Sequence, residues 1–231
     1  MRFLSFDCAN KSLAYVYMEV FPENMRALIT GLAEYRRNAN TWSAYKSLSF
    51  LQDLAQLKLF RIDACDVVDI LDGIKVAEVS VPARAKLLRA FLVQLGAKLQ
   101  IAPDTIVLVE DQPNRIMGGA GASGGFQVKT NLATVVIAGQ IAFYFADHEV
   151  VLINPKLKNG IAFSYALKVD VLASAGKKYA ARKKQAKANC RYILSLTNQS
   201  AATAHIGAAY YDDVADAVMQ VFAYVKKIKA V

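Results

Sequence analysis

The stretch that most limits the fold is "TIVLVEDQPNRIMGGAGASGG", residues 105–125. It opens with an uninterrupted apolar run from Ile106 to Val109. A run this short and β-branched suits a strand buried on both faces, in a sheet with helices on either side. It ends on a carboxylate, Glu110, followed by Pro113 and a glycine-laden loop. In open α/β sheets the region beyond the C-terminal end of a central strand is where ligands bind.

The rest of the chain supplies the expected partners. Residues 2–8, "RFLSFDC", and 13–21, "LAYVYMEVF", read as strands joined by the turn "ANKS", an antiparallel hairpin. Residues 24–64 favour helix around a lone Trp42 and are expected to form a helical insertion; 65–73, "CDVVDILDG", reads as a third strand. Pro82 opens a helix with apolar residues at 87, 88, 91, 92, 95 and 99. Residues 126–148 are long enough for a buried helix, with Ala133, Ala138, Gly139 and Ala142 allowing close packing. A strand at 149–155, a basic helix at about 177–196 and a helix at 212–229 follow. That last helix lines Val214, Ala217, Val218, Val221, Phe222 and Val225 along one face. Its acids stand first and its lysines last, as the helix dipole prefers. Early antiparallel strands and later strand–helix alternation give a mixed α/β sheet, and 231 residues suit one domain.

Charged residues interrupt every apolar stretch, so no membrane span is expected. The start, "MRFLSFDCANKS", lacks the apolar core and cleavage site of a signal peptide, so an intracellular, non-secreted protein is expected. Cys8, Cys65 and Cys190 form neither a disulfide framework nor a zinc pattern and are expected as buried free thiols. The formal net charge of +9 favours a polyanionic partner. The surplus is concentrated in "GKKYAARKKQAKANCR", 176–191, with seven Lys or Arg and no acid. It reads equally as a solvated helix face or as a phosphate-contacting stripe through Lys177, Lys178, Arg182 and Lys187.

The acids then form a pattern. Asp7 lies inside an apolar strand, which is costly unless the charge is paired or meets a cation. "DDVAD" supplies Asp213 and Asp216 three apart on one helix face, with Asp212 placed to cap the helix. Asp7, Glu110, Asp213 and Asp216 would repel one another unless cations fill the cluster. Mg²⁺, a hard ion held by carboxylates, water and phosphate, is the natural filling. Two such ions suit an in-line displacement at phosphorus.

The blocks "LSFDCANKSLA", "VLVEDQP", "YAARKKQAK" and "DDVADAVMQ" resemble, in order, those of RuvC-type Holliday junction resolvases, particularly the poxvirus and large DNA virus members. The likeness implies an RNase H-like mixed sheet of three antiparallel and two parallel strands. It implies a Mg²⁺-dependent endonuclease that resolves four-way DNA junctions by symmetric nicking, with Mn²⁺ able to substitute. Asp7, Glu110, Asp213 and Asp216 would hold two metal ions, and Lys183 or Lys184 would be the catalytic lysine. Gln112 falls in the family's E-x-Q-P setting; the glycine loop reads equally as a surface connector or as a segment that orders against a phosphate backbone, with Arg115 and Lys129, which bracket it, able to hold phosphates. Cutting two strands implies a homodimer. A viral source would place the protein in the infected cell's replication compartment. Cys8 and Ala9 stand where the family commonly has Gly or another small residue, and the 24–64 segment and glycine loop are longer than in a minimal member.

Other readings use part of the same evidence. An RNase H or related nuclease needs the same acids but reads 2′-hydroxyls. A non-catalytic DNA-binding protein would not need four acids. A sugar-kinase-like phosphotransferase would need a second strand–Asp–Gly phosphate motif, which the sequence lacks.

Overall fold

The computed structural model describes residues 1–9, 11–38, 40–111, 124–154, 190–191, 194–195, 199–207 and 210–228; for 29, 32, 36, 51, 54, 55 and 124–132 it describes backbone alone. Five strands are ordered β3-β2-β1-β4-β5. They are β1 (Arg2–Cys8), β2 (Ser12–Val20), β3 (Phe60–Asp69), β4 (Ile106–Glu110) and β5 (Glu149–Ile153). β1 pairs antiparallel with β2, and β2 with β3; β4 runs parallel to both β1 and β5. This is the mixed five-stranded sheet expected from the sequence, with β1, β2 and β3 antiparallel and β4 and β5 added in parallel.

Alternation along the strands sorts the core into two faces. On one, Phe3, Ala14, Val16, Leu108 and Ile153 pack beneath the C-terminal helix α5 (Tyr211–Lys227). On the other, Leu4, Phe6, Leu13, Val107 and Val109 pack beneath α3 (Val81–Leu99) and α4 (Gly124–Tyr144). The central strands are thus sealed on both sides, as the apolar run in β4 requires. Each fully buried Leu, Val or Phe contributes about 1.5–3 kcal/mol of apolar transfer. Ser80 caps α3 by accepting from the Ala83 N–H, with Pro82 in the first turn; Gln100 ends it in the left-handed conformation at φ 48°.

Several boundaries differ from expectation. The segment expected as an insertion over 24–64 contains two helices, α1 (Pro22–Asn38) and α2 (Ala44–Ala55), and then the first half of β3. That strand starts at Phe60 because Val20 pairs with Phe60 and Glu19 with Arg61, so it ends at Asp69 rather than 73. Trp42 closes the α1–α2 turn, edge-on to Tyr35 and Phe50 at centroid distances of 6.2 and 5.0 Å, with Lys46 Nζ 4.4 Å from its ring. α4 begins at Gly124, inside the expected glycine loop, and ends at Tyr144. Asp212 does not cap α5. The capping position is Tyr210, which makes no side-chain cap, and Asp212 sits in the first turn, where its charge complements the helix dipole. All three cysteines are free and buried. Among the described residues no helix is long and apolar enough to cross a membrane.

Candidate active site

β1 and β4 run side by side in the same direction, with Phe6 opposite Val109. One residue further along each strand stand Asp7 and Glu110. Asp7 also pairs with Ala14, and Glu110 with Ile153, and both neighbours belong to the face under α5. The row across the sheet is therefore apolar at its flanks and acidic at its centre. Asp7 and Glu110 are half-buried at the C-terminal end of the two central parallel strands.

α5 crosses this face in step with β1. The Phe3 and Tyr224 rings meet edge to face at 5.9 Å, and Ser5 Oγ donates to Gln220 Oε1 at 3.1 Å. Two residues of strand advance about 6.6 Å. Four residues of helix advance about 6 Å. By these rises the next positions along the two elements are Asp7 on β1 and Asp216 on α5, with Asp213 most of a turn further toward the start of α5. Asp213 and Asp216 are half-buried, whereas Val214, Ala215, Ala217 and Val218 are fully enclosed.

Gln220 is wholly buried and bridges the two strands. Its Oε1 takes the Ser5 hydroxyl, and its Nε2 donates to Glu110 Oε2 at 3.4 Å. Neither Ser5 nor Gln220 stood out in the sequence. The available signal was positional: Gln220 is a lone uncharged polar residue four after Asp216, and Ser5 lies two before Asp7 on the same strand face. At the far end of α5, Tyr224 donates to Glu149 Oε1 at 3.0 Å; burial first, then this carboxylate, raises the phenol's pKa.

The start of α5 is held by a buried thiol–phenol contact, Tyr211 Oη to Cys190 Sγ at 3.9 Å. Burial pushes the Cys190 thiol up to about 12, and the nearby Asp216 charge acts in the same direction. Burial likewise pushes Cys65 up to about 11. These thiols stay protonated and belong to the packing beside the acids.

The donor set is all carboxylate oxygen, which suits a hard divalent cation. Asp7 and Glu110 share one sheet face and one end of the sheet, but the four acids are not gathered into a finished cage. Among the described residues, no group of three or more His, Cys, Asp or Glu could hold a metal ion. Gln112, Arg115, Lys177, Lys178, Arg182, Lys183, Lys184 and Lys187 lie outside the described residues, as does the loop at 112–123; Lys129 is placed only as backbone in α4.

The fold defines an α/β protein with a mixed five-stranded sheet and carboxylates at the C-terminal ends of its central parallel strands. No family model matches the chain, and no curated protein matches it. Among solved structures it is similar to the Fowlpox virus resolvase in complex with its substrate Holliday junction DNA, at 15% identity and a TM-score of 0.46, over 99% of each chain. It is also similar to Thermus thermophilus RuvC. With a Holliday junction substrate, that likeness has 13% identity and a TM-score of 0.46, over 98% of this chain and 96% of the other. A further RuvC structure from T. thermophilus gives 14% identity and a TM-score of 0.45 over the same shares.

Proposed function

We propose that this protein is a Mg²⁺-dependent, structure-selective endonuclease acting on four-way DNA junctions. The observation that carries the reading is the placement of Asp7 and Glu110 side by side at the ends of adjacent parallel strands, with the Asp213–Asp216 helix stepping along the same face. Phosphodiester hydrolysis at such an end needs a charge-dense site facing solvent, and half-buried acids at a sheet's C-terminal edge supply one. Asp7, Glu110, Asp213 and Asp216 would hold two Mg²⁺ ions, which when bound would activate water and stabilise the leaving oxygen. Carboxylates also repel a phosphate, so its approach depends on the cations and on the net charge of +9. The motif resemblance selects the four-way junction as substrate and Lys183 or Lys184 as the ammonium beside the scissile phosphate. Symmetric nicking would require a homodimer.

The test is cleavage of a synthetic four-way junction, a plain duplex and an RNA–DNA hybrid of matched sequence, each in Mg²⁺ or EDTA. The proposal expects Mg²⁺-dependent paired nicks in the junction, lost in Glu110→Gln. Preferential cutting of the hybrid would assign an RNase H activity instead. Tight junction binding without cutting under any divalent ion would leave an architectural DNA-binding protein.

A further inference from the structure

Gln220 offers an inference about how the acidic end is organised. It is fully buried on an otherwise apolar stretch of α5, between Met219 and Val221. A primary amide there must satisfy a donor and an acceptor end, and burying one unsatisfied costs about 1–3 kcal/mol. A Met or Leu would fill the same space at no such cost. The structure places both ends on partners in the central strands: Ser5 on β1, two residues before Asp7, and Glu110 in the acidic row at the end of β4.

The chemistry fixes the direction of this bridge. An ionised carboxylate only accepts, so the amide must turn its NH₂ toward Glu110 and its oxygen toward Ser5. Ser5, itself fully buried, then donates its hydroxyl proton to that oxygen. The order Ser5 O–H, Gln220 C=O, Gln220 N–H, Glu110 carboxylate has one polarity. Ser5 therefore holds the amide against flipping, and the amide holds one carboxylate oxygen of Glu110.

We propose that Gln220 is a positioning residue for Glu110, oriented in turn by Ser5, and that this pair sets the affinity of the site for a divalent cation. The proposal rests on the nuclease reading above, in which Glu110 is a metal ligand. Partners that orient a ligating side chain typically change metal affinity roughly 10–100-fold when removed.

The experiment titrates Mn²⁺ alone into the 231-residue chain by calorimetry, without DNA, and records melting in EDTA in parallel. The variants are Gln220→Met, Ser5→Ala, the double variant and Glu110→Gln. Wild type is expected to bind and Glu110→Gln to lose binding. Gln220→Met should bind roughly 10–100-fold more weakly while melting cooperatively in EDTA. Ser5→Ala should weaken binding in the same direction, and the double variant should bind no more weakly than Gln220→Met, because the two act through one chain of hydrogen bonds. If Gln220→Met does not fold, Ser5→Ala carries the test. Normal affinity in whichever of these variants fold, with Glu110→Gln defective, overturns the positioning role and leaves the nuclease reading intact. A wild-type chain that binds no Mn²⁺ overturns the metal site and the positioning role with it.

Discussion

Replacing Asp7 by Asn should make the metal-free protein more stable while making it inactive. Asp7 and Glu110 stand on neighbouring strands at the same level, about 5 Å apart by strand spacing. Two like charges at that separation repel by about 1 kcal/mol in water and about 3 kcal/mol at the effective dielectric of a protein surface. Both side chains are half-buried, so the cost falls between these limits. Asparagine has nearly the same volume, so the cross-strand neighbourhood with Ala14 is preserved. One kcal/mol corresponds to about 2–4 °C for a chain of this size. Asp7→Asn should therefore melt roughly 2–12 °C higher than wild type in EDTA, by circular dichroism at low salt. Divalent cations should reverse the comparison. A ligand at a hundred times its Kd adds about 2.7 kcal/mol to the state that binds it. Wild type should gain that increment on adding Mg²⁺, and Asp7→Asn should gain little. Asp147→Asn, an exposed acid away from this end of the sheet, should behave as wild type in both conditions. The reasoning fails if Asp7→Asn melts lower than wild type in EDTA, because the contacts of the Asp7 carboxylate would then outweigh its repulsion with Glu110.

Three further outcomes follow from the packing and charge. Cys190 and Cys65, raised to about 12 and about 11 by burial, stabilise the fold as neutral thiols; that stability is full below the unfolded value near 9 and is lost as pH rises through the folded values. Urea midpoints should fall from pH 9 upward, less steeply in Cys190→Ala, and both thiols should resist dithionitrobenzoate at pH 8 until the protein unfolds. Phe222→Ala should destabilise by about 3–5 kcal/mol in urea, because this ring is 2% exposed and lies edge-on to Phe60 at 5.2 Å, joining α5 to the edge strand β3. Replacing Lys177, Lys178 and Lys187 with Ala should weaken DNA binding regardless of sequence and flatten log K against log salt by about 0.9 per lost phosphate contact, whereas an unchanged slope marks these lysines as a solvated face.

What could be read from the sequence followed burial. β4 and α5 announce themselves because their apolar patterns are nearly complete, and the acids of the site were visible because a charge at the end of such a run is expensive. β3 was misplaced for the opposite reason. Its first half, Phe60 to Asp63, alternates buried Phe and Ile with exposed Arg61 and Asp63. Arg61 reaches Glu19 on β2 at 3.4 Å and Asp63 at 2.6 Å, pairings that make sense of the charges only once the strands are aligned. In the linear chain they read as helix or loop. The same gap hid Ser5 and Gln220. Neither has a charge, and 215 residues separate them. Their meaning comes from one coincidence of dimensions: two residues of strand and four of helix advance by nearly equal lengths, so α5 and β1 can keep step. That step puts the Phe3–Tyr224 contact and the Ser5–Gln220 bond in succession along one face, and Asp7 and Asp216 are the next positions along the two elements. A sequence can display the acids of such a face, but the polar residues that orient them become visible only when strand and helix are laid side by side.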